Sequence, residues 1–236
     1  MRVIALDTTT RAGSVALVED GRVIDERAGD ASRSHAERLP AEIIALADTH
    51  RVAWSDVDLY AVASGPGSFT GLRIGIATAQ GLAFVHRRRI VGIPALDALA
   101  HAAADDLAAG TLIAAWMDAH RGDVFAAAYR VSAAEPFAAG RLLAVDGPTV
   151  GDPVSTLARW SGELAITPSI FVGDGAALYE SEIRRAIVGA RVIAHPLLAG
   201  IIGRLAIGRA SSALDPADVR PLYVRQPDAV IARDKK

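Results

Sequence analysis

The sequence contains no cysteine, which excludes disulfides, thiolate metal sites, iron–sulfur clusters and cysteine nucleophiles together. It also has no excess of positive charge. Its 25 Lys and Arg stand against 27 Asp and Glu, a formal net charge of -2. A chain that gripped nucleic acid unaided would carry a basic excess to displace counterions, so autonomous tRNA or DNA binding is disfavoured. Although 51% of residues are hydrophobic, much of that share is alanine. No apolar run reaches the ~18–20 residues of a spanning helix, so no membrane partner is expected. The opening Met1-Arg2-Val3-Ile4-Ala5-Leu6 meets Asp7 too early for the core of a signal peptide, and the expectation is a soluble cytoplasmic protein. The histidines at 35, 50, 86, 101, 120 and 195 include no i, i+4 pair and no H-E-x-x-H, so no zinc site is expected. No G-x-S-x-G elbow marks a nucleophile, although Ser34-His35 and Asp118/His120 imitate pieces of a triad.

At 236 residues the chain has room for one to two domains of about 150 residues each. Residues 3–6 read as a strand ended by Asp7-Thr8-Thr9-Thr10, and residues 13–18 as a second. Asp20-Gly21 supplies the positive φ of a tight hairpin before a third strand over residues 22–27. Together these make an antiparallel meander. Apolar residues then recur at helical spacing over residues 34–50, with Ser34 and Glu37 placed as a capping box. A buried strand over 59–64 precedes Gly65-Pro66-Gly67-Ser68-Phe69-Thr70-Gly71, and residues 72–85 read as a helix. A strand over 90–93 and a helix over 94–108 close the first half. The second half offers a hairpin (112–118 and 123–130), a strand over 141–145, a helix over 152–160, and a strand over 170–172 running into Gly173-Asp174-Gly175. Helices over 176–188 and 197–209 and an irregular tail complete it. The pattern is α/β, with a lobe boundary near Ala109-Gly110. Lobes are therefore expected over residues 1–108 and 109–236, with the last helix and tail packing back on the first lobe.

Three stretches bear on chemistry, each with two readings. Asp7, Thr8 and Thr9 end a strand and could offer hydroxyls, N–H groups and a carboxylate to a phosphate or hydrated Mg²⁺; turn chemistry alone also explains them. The glycine-rich stretch, with Gly65 and Gly67, lies between strand and helix and permits close backbone approach to a ligand or to the protein itself. It has neither P-loop nor dinucleotide spacing. Gly173-Asp174-Gly175 closes over a phosphate or simply turns the chain. The helix over 72–85 is apolar nearly all round, so it is either central to the core or covered by a partner. Its small residues Gly75, Ala79 and Ala83 recur four apart.

Several stretches, Ala5-Leu6-Asp7-Thr8-Thr9-Thr10, Ser34-His35-Ala36-Glu37-Arg38-Leu39-Pro40 and above all Ser64-Gly65-Pro66-Gly67-Ser68-Phe69-Thr70-Gly71-Leu72-Arg73-Ile74-Gly75, resemble the TsaB (YeaZ) family. Its members are the non-catalytic partner in bacterial synthesis of threonylcarbamoyladenosine on tRNA, related to the proteins once labelled glycoproteases. Asp118-Ala119-His120-Arg121-Gly122-Asp123-Val124-Phe125, Gly173-Asp174-Gly175 and Pro221-Leu222-Tyr223-Val224-Arg225 fall where that family has similar blocks.

The resemblance implies the two-lobed fold of the actin, sugar-kinase and Hsp70 group, each lobe a mixed sheet flanked by helices. It implies a subunit with no catalytic residue and no metal of its own, which docks and activates the catalytic relative TsaD for threonylcarbamoyl transfer to the adenosine beside the anticodon. TsaE is the pathway ATPase, tRNA is met only through the complex, and a homodimer forms when the chain is alone. Docking residues implied on the two helices are Leu39, Ile43, Leu46, Leu72, Ile76, Ala79 and Ala83. Asp7, Thr8, Thr9, Gly65, Gly67, Gly173, Asp174 and Gly175 would be degenerate contacts to ATP or ADP with Mg²⁺, and no cofactor is expected. The catalytic relative binds metal through an H-x-x-x-H pair; here Ala95 and Leu99 stand in those places, and neither can ligate. The alternatives are an active ATP-dependent phosphotransferase of the same fold and a metal-dependent glycoprotease.

Overall fold

The structure, a computed structural model, describes residues 1–225. β1 (Arg2–Asp7), β2 (Ser14–Glu19) and β3 (Arg22–Ala28) form the antiparallel meander. Asp20 and Gly21 turn the second hairpin at φ 48° and 81°, the left-handed pair that a two-residue loop between right-twisted strands needs. β4 (Leu59–Gly65) and β5 (Arg89–Pro94) add parallel to β1, giving the order β3-β2-β1-β4-β5. α1 (His35–Thr49) opens with the capping box of Ser34 and Glu37, and α2 (Phe69–His86) links β4 to β5.

After α3 (Ala95–Ala103) the second sheet is built from β6 (Leu112–Asp118), β7 (Val124–Val131), β8 (Leu142–Gly151), β9 (Ile170–Val172) and β10 (Arg191–Ile193). Its order is β10-β9-β6-β7-β8. Read from the other edge, this repeats the first sheet strand for strand: an antiparallel meander, then two parallel strands beside its first member. Two mixed sheets of one topology are the arrangement expected of the actin, sugar-kinase and Hsp70 group. α4 (Pro153–Gly162), α5 (Asp174–Leu178) and α6 (Glu180–Ala186) flank the second sheet.

Alternation along each strand sends side chains to two faces, and each face has its own core. Ile4, Leu6, Val15 and Leu17 pack with Leu39, Ile43 and Leu46 of α1 and Ile76, Ala79 and Ala83 of α2. Trp116 and Phe171 pack with Leu157, Trp160 and Ile183 of α4 and α6. Between the sheets lie α3 and α7 (Ala199–Gly208), in one core shared by Val3, Ala5 and Val18 of the first sheet and Ile113, Ala115 and Val172 of the second. Small residues such as Ala5, Ala16, Ala61, Ala98, Ala115 and Ala199 let two sheets and two helices approach closely in this layer.

Several boundaries differ from those predicted. The helix over 94–108 stops at Ala103. The helix over 176–188 is two short ones meeting at Tyr179. β8 runs on to Gly151, and β10 has only three residues, too few to leave a periodic signature.

α7 comes from the end of the chain yet packs on the first sheet. Its exposed-by-geometry N–H groups are satisfied there: Ala199 N donates to Ser14 Oγ at 3.0 Å and Gly200 N to Glu26 Oε1 at 2.9 Å. A carboxylate at a helix N-terminus also meets the positive end of the helix dipole. Burial pushes the Glu26 carboxyl pKa up, opposed by these hydrogen bonds. Glu26→Leu is expected to lower unfolding free energy by about 1–2 kcal/mol, with Glu26→Gln costing less because its oxygen still accepts; urea titration at pH 7 checks this.

In the shared layer, His101 of α3 is 5% exposed and stacks on Phe137 at 5.8 Å. Burial lowers its pKa from 6.5 to about 4. Between those values the unfolded chain binds a proton that the folded chain refuses, so this site's contribution to stability is full above pH 6.5 and falls as pH drops through the window. The expected loss by pH 4 is about 3 kcal/mol. His101→Phe should flatten that part of the stability-against-pH curve, read as urea midpoints between pH 7 and 4.

Candidate functional site

The first turn is held from within and from α1. Asp7 Oδ1 accepts from Thr9 N at 2.9 Å and from Thr9 Oγ1 at 2.7 Å. His35 Nε2 lies 2.9 Å from Thr10 O, and Arg38 Nη2 lies 2.8 Å from His35 Nδ1. These partners fix a neutral imidazole that donates from Nε2 and accepts on Nδ1, and burial accordingly lowers the His35 pKa. The Arg38 guanidinium, itself buried, also donates to the carbonyls of Arg11 and Ala12 and pairs with Glu42 at 2.6 Å. The Ser34-His35-x-x-Arg38 stretch thus acts on the turn. That role was not read from the sequence, where a His and an Arg one helical turn apart carry no mark of burial.

The glycine-rich segment then closes over the turn. Ser68 N donates to Thr9 O at 2.8 Å, and Ser68 Oγ caps Gly71 N at 3.2 Å. A Cβ at Gly67 would lie 2.6 Å from Thr9 Cβ, one at Gly71 2.1 Å from Thr8 O, and one at Gly75 2.2 Å from Thr8 Oγ1. The three glycines therefore make room for the chain's own Thr8 and Thr9. Asp7, Thr8 and Thr9 are all buried, and the Thr8 hydroxyl has no hydrogen-bond partner among the described residues. Gly65, joined to Pro66 by a cis peptide, makes room for Leu222 O, 2.6 Å from where its Cβ would stand.

The second lobe repeats the device. Gly173 sits against Trp116 O and Gly175 against Met117 and the Asp118 amide. Asp174 Oδ1 accepts from Asp118 N at 3.1 Å and from Gly175 N at 2.9 Å. So Asp7, Thr8, Thr9 and Gly67 form one cluster in the first lobe, with Gly65 beside it under Leu222. Gly173, Asp174 and Gly175 form another with Asp118 at the end of β6. Each carboxylate is engaged by neighbouring backbone. Among the described residues no group of three or more His, Asp or Glu is placed to hold a metal ion, and none of the helices is long and apolar enough to cross a membrane. Ala95 and Leu99, the positions that the resemblance sets against a metal-binding histidine pair, are fully buried apolar residues of the shared core.

Leu39, Ile43, Leu46, Leu72, Ile76, Ala79 and Ala83, the expected docking residues, are all buried within the chain. All but Leu72 belong to the core under the two helices. On α1 the apolar stripe is the one the sheet covers; on α2 the physical reason is that an almost wholly apolar helix does not declare which side faces inward. Gly75, Ala79 and Ala83 are the inward stripe. The outward stripe of α2 is Arg73, Ala77, Gly81 and Phe84, and a Cβ added at Gly81 would point into open space. Phe84 and Val85 are 78% and 72% exposed, and Ile44 on α1 is 50% exposed.

The remaining contributor is the tail. Leu222 N donates to Ser64 O at 2.6 Å, Arg73 Nε to Tyr223 Oη at 2.9 Å, and Arg225 Nη1 to Ala119 O at 2.7 Å. Only the Pro221-Leu222-Tyr223-Val224-Arg225 block hinted at it in the sequence.

Comparison with known proteins agrees with this arrangement. The family model described as TsaD, tRNA N6-adenosine threonylcarbamoyltransferase, matches residues 28–201. The tRNA threonylcarbamoyladenosine biosynthesis protein TsaB of Escherichia coli is 38% identical over 130 residues, 55% of each chain. That of Bacillus subtilis is 27% identical over 236 residues, covering 97% of this chain and 96% of its own. The chain thus spans about half the length of the Escherichia coli relative (55%) and nearly all of the Bacillus one. YeaZ from Pseudomonas aeruginosa superposes with a TM-score of 0.74 at 29% identity, covering 94% of this chain and 99% of that one. The chain belongs to the family that the TsaD model describes, on its TsaB (YeaZ) branch.

Proposed function

We propose that this chain is a non-catalytic scaffold that docks a TsaD-type catalytic subunit for threonylcarbamoyl transfer to the adenosine beside the anticodon of tRNA. Membership of a branch named for threonylcarbamoyladenosine biosynthesis supports the pathway. The observation that carries the docking is the outward face of α1 and α2, where Ile44, Phe84 and Val85 stand exposed beside Ala77 and Gly81. Small residues flanked by exposed apolar ones let a second helix approach closely and bury the rims. The same face pairs with a second copy when the partner is absent, by a two-fold axis. The TsaE-type ATPase acts in the same assembly, and tRNA is met through it, consistent with a net charge of -2.

The absence of a catalytic role is supported by the state of the turns. In this reading Asp7 and Asp174 serve as turn-formers, each turning its Oδ1 to neighbouring groups: Asp7 to the Thr9 amide and hydroxyl, Asp174 to the amides of Asp118 and Gly175.

Size-exclusion chromatography with light scattering, on the chain alone and mixed with the TsaD-type subunit of its own genome, tests the reading. A homodimer that gives way to a mixed complex is the expected result; two proteins that never co-elute overturn it. Phe84→Arg should weaken association at least ~10-fold, since burying one large apolar side chain is worth about 1.5–3 kcal/mol, and Ala77→Arg should do so by filling the space a partner helix needs; both leave the fold intact. Ala79→Arg should instead unfold the chain, because Ala79 is at 0% exposure in the core, and circular dichroism separates the two outcomes.

A further inference from the structure

The tail after α7 runs along α2 and then crosses to the second lobe. Gln80 Nε2 of α2 donates to Pro216 O at 2.7 Å and Val219 O at 3.2 Å, and the Val219 side chain is buried under α2. Leu222 pairs with Ser64 at the end of β4. Tyr223 packs on Phe69 with ring centroids 5.0 Å apart, and the Arg73 guanidinium lies 3.9 Å from the Phe69 centroid. Val224 reaches the core shared by the lobes. Arg225 then ends on the β6–β7 turn, donating to Ala119 O at 2.7 Å and pairing with the Asp123 carboxylate.

Two anchors of this segment are the carboxyl ends of β4 and β6, the side of an open α/β sheet where ligands bind. The lobes are also joined through the α3 and α7 layer, against whose core Val224 of the tail packs. A tie across the strand ends of both lobes, beside a packed layer that both lobes share, is the geometry of a clasp and a pivot.

We propose that residues 219–225 are a latch across the mouth between the lobes. Closed, it holds residues 64–68 and 119–123 in place and covers the carboxyl ends of β4 and β6; released, it lets the lobes part about the α3 and α7 layer. Arg225 is the positioning residue of the latch, and nothing in this inference depends on which partner docks at α2.

Hydrogen exchange on the full-length chain tests it, comparing the parent with Arg225→Ala. The expected result is exchange at least ~10-fold faster at both anchors, in peptides spanning 64–72 and 119–125, with α4 and α6 unchanged. Faster exchange confined to 119–125 and the tail, with 64–72 at parent rates, makes Arg225 a local contact and overturns the latch; so does no change at either anchor. Asp123→Asn, which keeps size and removes only the charge, should give the same two-ended pattern at smaller amplitude. If Arg225→Ala does not fold, the presence or absence of the 64–72 response in Asp123→Asn decides.

Discussion

The contact on which the mouth of the first lobe depends is that of Thr8 with a helix that has no side chain to put there. Gly71 and Gly75 are one helical turn apart on the inner face of α2, and a methyl group at either would overlap Thr8. Because α2 can sit directly on the β1–β2 turn, Ser68 reaches Thr9, Asp7 is roofed over, and α1 can brace the far side of the turn through His35 and Arg38. Remove that closeness and the turn, the glycine loop and the tail that rests on Gly65 lose their common floor. In the second lobe Gly173 and Gly175 do the same against the end of β6, so one steric device occurs twice in a fold of twice-repeated topology.

Much of the fold was legible in the sequence for a simple reason: strands buried on both faces write continuous apolar runs, and punctuation by Asp-Gly or Ser-x-x-Glu marks where they and the helices begin. β1, β2, β4, β6 and β9 lie where those runs are. β9, as short as β10, shows because Ile170-Phe171-Val172 is buried throughout, whereas β10 is a half-exposed edge strand opening on Arg191 and leaves no apolar run; the break between α5 and α6 at Tyr179 has no glycine or proline to mark it.

The site was legible as a set of stretches but not as a set of roles. The glycines announce close approach, and close approach is what the structure has; the sequence is silent on whether the approaching group is a phosphate or a threonine. The docking helices show a similar ambiguity. α2 is apolar nearly all round, so composition says it is covered without saying by what. The inward stripe Gly75, Ala79, Ala83 and the outward stripe Ala77, Gly81 are both small-residue rows. Only burial tells the wall of the core from the open surface. The partnership of Arg225 with Ala119 and Asp123 spans a hundred residues, beyond any local pattern.

The placement of α7 has a consequence for how the protein is made. Residues 199–208 lie on the inner face of a sheet whose five strands are complete by Pro94. While the chain is being synthesised, Val3, Ala5, Val18 and Ala63 therefore wait, without their final cover, through the whole production of the second sheet. Ser14 and Glu26, which receive the N–H groups of α7, wait with them. The first lobe is thus begun first and finished last. During that interval it carries an apolar sheet face in a cell crowded with other nascent chains.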